Sequence, residues 1–464
     1  MTDTVIKNVR MLINNRINEV NILINDSKIE KISKTASINA VDHIINGRGN
    51  LALPSGIDVH VHFRDMKEKH KEDWYTGSCA AAAGGITTVI DHPNTQPPTL
   101  NKKSFYQKLI KARSKSVIDF GLNGGVESKN TGELTELWNL GVTSFGEIFG
   151  SQNLGEALDK IKRFGAVACI HAEDETINRK LMEKYKNNHN PGVHSLIRPP
   201  KSEEAAVAAL LSTAQRSCAG LIRPPESEEA AVAALLKKQL TLHFCHISTK
   251  NAVNLIHSAK EEGKDVTCEV TPHHLFLSAK SWKRLGSRGK MNPPLREPCH
   301  IPPLWEALND HTIDMIASDH APHTIEEKNT DIYDAPPGVP GVETLFPLML
   351  EAAKHNHITL KRLIEVTRLN PAKRFGFDAH NKGDIKKGFD ADIIIVDTSN
   401  TTPIRGEKLH SKAGWTPFEG TPALFPRLTL LRGMIIWDEG ITVKKGYGNH
   451  CLRNASYGEN DNTY

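Results

Sequence analysis

Short apolar runs that end in histidine, aspartate or glutamate recur through the middle of the chain, and stretches with helical spacing separate them. Candidate strands lie at 57–62, 86–91, 117–121, 141–148, 166–171, 241–246, 266–271 and 313–318. Helical segments lie at 102–114, 154–164, 175–187, 202–216 and 250–262. Eight strands alternating with helices over about 300 residues predict an α/β fold, a (β/α)8 TIM-like barrel, with a doubly wound open sheet as the alternative.

Outside this region the texture changes. Residues 4–33 and the segments "GFDADIIIVDTS" and "RLTLLRGMIIWDEGITVKKG" alternate apolar and polar residues, the period of antiparallel strands. The two ends therefore read as one small discontinuous β-sandwich domain, 1–53 plus 384–445, around a barrel at 54–383. Residues 446–464 lack periodicity and read as a disordered tail.

One segment is repeated: "LIRPPKSEEAAVAALL" (196–211) returns as "LIRPPESEEAAVAALL" (221–236). Two copies are too few for a solenoid, and a barrel needs one such helix here. The second copy reads as an outward bulge or a sequence error.

A net charge of +4, spread without a basic block, gives no footprint for nucleic acid. No run of 18 apolar residues and no apolar leader are present, so no membrane contact is expected and the location is expected to be cytoplasmic. Seven cysteines, at 79, 169, 218, 245, 268, 299 and 451, include no CxxC pair. They suit reduced, mostly buried thiols rather than a disulfide frame or a thiolate zinc site.

The first barrel strand reads "GIDVHVHFRD". On a strand, His60 and His62 share one face while Val59 and Val61 take the other. Catalytic groups of a parallel barrel gather at the C-terminal ends of its strands. The other ends carry Glu147, His171, His243 with His246, and Asp319 with His320 and His323. Imidazole and carboxylate without thiolate are ligands for a catalytic Zn²⁺, or for Mn²⁺ or Fe²⁺. Their number exceeds what one tetrahedral ion with an open position can use, and suits two ions sharing a bridging carboxylate and a bridging hydroxide.

"GIDVHVHFRD", "AAAAGGITTVIDHPNTQPPT", "CIHAED", "HFCHISTK", "EVTPHHLFL", "KMNPPLRE", "ASDHAPH" and "NPAKRFGF" before "KGDIKKGFDADIIIVD" resemble, in order, motifs of the cyclic amidohydrolases. Within them they resemble the dihydroorotases of the longer, barrel-plus-sandwich type, over roughly residues 1–440.

The resemblance implies metal ligation by His60, His62, His171, His246 and Asp319, with Asp319 also the catalytic acid and base. It implies a grip on a substrate α-carboxylate by Arg64 and Asn94, a task suited to the guanidinium fork, with Asn292 and His323 also on the substrate. It places the histidine directly before "IST", His246, in the ligand role rather than His243.

The family activity is the reversible cyclisation of N-carbamoyl-L-aspartate to L-dihydroorotate in pyrimidine biosynthesis, with two Zn²⁺ per chain. Expected partners are the small-molecule substrate, a second copy in a homodimer, and aspartate transcarbamoylase. The other readings are an allantoinase or hydantoinase, or a metal-free structural partner of that transcarbamoylase.

Two positions depart from the pattern. Many relatives bridge the ions with a carboxylated lysine, or in some with an aspartate, at the end of the fourth strand; "GVTSFGEIFGS" has no lysine, and Glu147 is the nearest carboxylate. His92 stands where methionine usually precedes "PNT", and reads as a packing residue beside the site.

Overall fold

The computed structural model describes residues 2–34, 41–149, 155–216 and 240–453. Four strands open the chain: β1 (Thr2–Ile13), β2 (Arg16–Asn25), β3 (Lys28–Ser33) and β4 (Val41–Pro54). The barrel strands follow as β5 (Gly56–Val61), β6 (Ile86–Asp91), β7 (Asp119–Leu122), β8 (Phe145–Phe149), β9 (Val167–His171), β10 (Thr241–Phe244), β11 (Val266–Val270) and β12 (Met315–Ile316). The last strands are β13 (Ile393–Val396), the two-residue pair β14 (Thr402–Pro403) and β15 (Pro422–Ala423), then β16 (Leu428–Leu431) and β17 (Met434–Asp438).

Strands from both ends of the chain form one seven-stranded sheet in the order β17-β16-β13-β4-β1-β2-β3. Its alternation buries Ile6, Val9, Ile22, Ile24, Ile393, Ile395 and Leu430 in one core. The sheet is mixed rather than wholly antiparallel, because β1 pairs with β4 in parallel. The β2–β3 hairpin supplies the crossover that parallel pairing needs.

The barrel is closed. Strands β5-β6-β7 and β8-β9-β10-β11-β12 form two parallel arcs. Parallel bridges Gly124–Phe145 and Val61–His320 join the arcs at both seams. Closure, not a doubly wound sheet, is what brings the first and last strand ends together. At the second seam the buried Asp58 carboxylate accepts from the backbone N–H groups of Ser318 (3.1 Å) and His60 (3.2 Å), tying β5 to the loop after β12.

Beneath the strand ends lies an apolar floor that includes Ile90, Cys169, Ala317, Phe375 and Phe377. Ile90, Cys169 and Ala317 precede His92, His171 and Asp319 by two residues, so strand alternation stacks polar positions above the floor.

The expectation of disorder from residue 446 does not hold for 446–453. Phe120 N–H donates to the Asn449 carbonyl and Cys451 N–H to the Phe120 carbonyl, while the half-buried His450 ring stacks on Phe120. This segment lies along β7 near the seam, and the remainder of the tail falls outside the described residues. A buried ion network fastens it: Asp119 binds Lys382 (2.7 Å), Arg432 and the Asn449 N–H (2.8 Å). Burial alone would raise the Asp119 carboxyl, but Lys382 and Arg432 hold it below its ordinary value.

The first repeat copy forms the helix Pro200–Arg216. The second copy, 221–236, lies outside the described residues. Among the described residues no helix is long and apolar enough to cross a membrane.

Candidate metal centre and substrate pocket

The structure brings His60, His62, Glu147, His171, His246 and Asp319 to the C-terminal mouth of the barrel. His171 Nδ1, His246 Nε2 and Glu147 Oε1 converge in a triangle with sides of 2.8, 2.9 and 3.1 Å. The other Glu147 oxygen faces His60 Nε2 at 4.0 Å. His60 Nε2 and His62 Nε2 lie 3.5 and 3.1 Å from Asp319 Oδ1. Glu147 thus offers one oxygen to each of two donor clusters.

Hydrogen bonds on the far side of three of the four rings aim their lone pairs inward, while His246 Nδ1 is buried without a partner. His60 Nδ1–H donates to Glu269 (2.6 Å), His62 Nδ1–H to Asn94 Oδ1 (2.6 Å) and His171 Nε2–H to Glu173 (2.8 Å). The tautomers follow from these partners. Each inward nitrogen then carries a lone pair, and His60 Nε2 is buried with no hydrogen-bond partner. Lone pairs packed this closely repel unless protons or cations sit among them, so the donor set fits a pair of divalent cations. Burial disfavours charge on the rings, yet Glu269, Asp319 and Glu147 lift His60 to about 10, and Glu147 and Glu173 lift His171 to about 9. The hole is strongly electronegative.

The backbone is adapted to this convergence. Gly146 has φ +142°, and a Cβ there would collide with the Cys169 carbonyl, so glycine lets β8 lie close against β9 beside Glu147. Arg64, His246 and Asp319 have φ of +55°, +36° and +45°, left-handed conformations that cost non-glycine residues about 1–3 kcal/mol each and collect at functional sites.

Arg64 Nη2 lies 3.4 Å from His323 Nε2, and both side chains are buried. Asn94 spends its carbonyl on His62, leaving its amide donors for an anion. Asn292 accepts from His194 Nε2 through its carbonyl at 2.9 Å, which likewise leaves its NH₂. Burial pushes His194 down to about 3, so the ring is neutral and donates one hydrogen.

Residues 51–425 match the profile of the amidohydrolase family. The chain belongs to the amidohydrolase family. It is similar to two curated dihydroorotases, from Methanosarcina acetivorans (50% identity, 99% of this chain, 98% of that protein) and Methanosarcina mazei (49%, 99% and 100%). Among solved structures it is similar to the L-hydantoinase (dihydropyrimidinase) of Arthrobacter aurescens, with TM-score 0.89, 30% identity, and coverage of 98% of this chain and 100% of that one.

Several residues of this amidohydrolase shape the site without a signature of their own in the sequence, and His92 takes the packing position expected of it. Glu269 takes His60 on one oxygen and His243 on the other (3.0 Å), which turns His243 away from the donor clusters. Glu173, inside the quoted "CIHAED", is gripped by Arg198 at 2.7 and 2.9 Å. Glu203 accepts from the N–H groups of Ser248 (3.1 Å) and Thr249 (2.9 Å), just after His246. Arg198 and Glu203 both belong to the first repeat copy. His92 stacks on His60 with ring centroids 3.9 Å apart. His274 bonds Thr271 and the Pro293 carbonyl, within the helix after β11.

Proposed function

We propose that this chain is a dihydroorotase, interconverting N-carbamoyl-L-aspartate and L-dihydroorotate with two zinc ions per chain. The observation that carries the reading is the Arg64–His323 pair standing beside a two-cation donor set, in a chain half identical to proteins named dihydroorotase. A ring substrate with a carboxylate needs both features, whereas a neutral hydantoin needs only the second.

His60, His62 and Asp319 would hold one ion, His171 and His246 the other, with Glu147 between them. When bound, the ions supply Lewis acidity and a water of lowered pKa. The protein's own groups do the rest. Arg64 and Asn94 hold the α-carboxylate, and Asn292 and His323 orient the ring, so the reacting carbonyl faces Asp319.

In ring opening, water oxygen adds to the ring carbonyl carbon. Asp319 takes a proton from that water and gives it to the ring nitrogen as the C–N bond breaks, leaving a carboxyl group and a ureido amine. In ring closure the ureido nitrogen attacks the side-chain carboxyl carbon. Asp319 then takes the nitrogen's proton and delivers it to the departing oxygen.

A second reading, a hydantoin-type hydrolase, is favoured by the fold likeness to L-hydantoinase. Assays of the purified protein with dihydroorotate, hydantoin and allantoin separate the two: turnover confined to dihydroorotate supports the first, and preference for hydantoin or allantoin rejects it. The reading extends to a homodimer and to association with aspartate transcarbamoylase, both tested by size-exclusion chromatography of the protein alone and with that enzyme.

A further inference from the structure

Lys328 ends the short helix Ile325–Lys328, five residues after His323, and its side chain is completely buried. Its Nζ donates to the carbonyls of Lys290 (2.7 Å), Pro336 (2.8 Å) and Gly338 (2.9 Å). Three carbonyls at this range need three N–H donors, which only the ammonium form provides.

Among the described residues no carboxylate offsets the charge of Lys328, whereas Glu68, Asp319, Asp91 and Glu147 all act on Arg64. Burial, then the charges of Lys290 and Arg64, push the Lys328 pKa well below the ordinary lysine value. A buried cation without a counter-ion is costly, and the deficit is met when an anion enters.

The carbonyls that Lys328 gathers belong to two turns that frame the substrate residues. Lys290 stands two positions before Asn292. The Pro337 carbonyl, between the two on the other turn, accepts from His323 Nε2 at 3.1 Å. Gly338 N–H closes the frame by donating to the Lys290 carbonyl at 2.9 Å. Trp415 Nε1 donates to the His323 backbone carbonyl at 2.9 Å.

We propose that Lys328 is a positioning residue of the carboxylate subsite: it ties the Lys290 turn to the 336–338 turn, fixes the carbonyl that orients His323 beside Arg64, and supplies unneutralised positive charge that favours an anionic ring over a neutral one. The inference rests on the dihydroorotase reading. It adds to that reading a residue that touches no reacting atom yet sets which ring binds.

The test measures KM and kcat for dihydroorotate, and the competitive inhibition constant of 5,6-dihydrouracil, the same ring without the carboxylate, for wild type, Lys328→Met and Lys328→Arg. Lys328→Met is expected to raise KM about tenfold or more with kcat within about threefold, the signature of lost uniform binding, while the inhibition constant of the neutral ring stays unchanged. Lys328→Arg keeps the charge but not the three-carbonyl fit, so its KM should fall between the two. If Lys328→Met does not fold, Lys328→Arg carries the test with the same constants.

An unchanged KM overturns the inference. So does a parallel loss for both rings, which marks general damage to the pocket. Wild type inactive on dihydroorotate would sink the functional reading itself, whereas active wild type with an unaltered variant sinks this inference alone.

Discussion

Glu269 Oε1 accepts a hydrogen bond from His60 Nδ1 at 2.6 Å, across 209 residues of sequence. The bond fixes the tautomer in which His60 Nε2 faces Asp319 and Glu147. A carboxylate behind a ligating imidazole raises its basicity, and losing such a partner costs about 10- to 100-fold in metal affinity. Glu269→Gln should therefore release metal to a competing chelator about that much more readily, with Glu147 and Asp319 intact. Unchanged chelator competition would remove Glu269 from this role.

In the proposed function Asp319 both holds an ion and moves a proton. Asp319→Asn keeps an oxygen for the ion but loses the base, so kcat should fall about 10²- to 10⁴-fold while most of the metal stays bound. Steady-state kinetics with parallel metal analysis check this. Retention of more than roughly a tenth of the wild-type rate rules the proton role out.

In the proposed function Arg64 offers a planar fork to the substrate carboxylate, which an ammonium cannot match. Arg64→Lys should raise KM for dihydroorotate about tenfold or more, since a hydrogen bond to a charged group is worth roughly 1.5–3 kcal/mol. An unaltered KM would show that Arg64 does not grip the carboxylate.

Away from the site, the Asp119 network ties the barrel to the turn before β17 and to the C-terminal segment. Removing one member of a buried ion pair costs about 3–5 kcal/mol. Asp119→Asn should therefore lower the unfolding temperature by roughly 6–20 °C, at about 2–4 °C per kcal/mol for a large domain. The folded-state pKa of Asp119 is depressed, so its contribution is complete above the unfolded value of about 3.9 and is lost as pH falls through the lower folded value. Wild type should thus lose more stability than Asp119→Asn on acidification below about pH 4, and parallel acid melting curves would contradict this.

Much of the fold was legible because its signals are local. The eight apolar runs and the helices between them stand in the structure within a few residues of their expected places, and the alternation at both chain ends became one sheet. The strand-end rule then predicted where His60, His171, His246 and Asp319 would meet, although hundreds of residues separate them.

What escaped the sequence depends on contacts without a local signature. Glu269 sits in the quoted "EVTPHH" but acquires its task from β5. Lys328 looks like a solvated helix-end lysine until three carbonyls enclose it. The parallel pairing of β1 with β4 follows from the β2–β3 crossover, which alternation cannot reveal. The segment 446–453 is short and aperiodic because it takes its order from β7 rather than from its own packing.

In the proposed function Glu147 stands between two cations. Metal content by inductively coupled plasma mass spectrometry, measured beside dihydroorotate turnover before and after chelation, is the decisive check. Wild type should carry about two equivalents of zinc per chain, lose turnover on stripping and regain it with added zinc, while Glu147→Ala retains about one equivalent or less. Full turnover by protein stripped of metal, or two tightly held equivalents in Glu147→Ala, would contradict it.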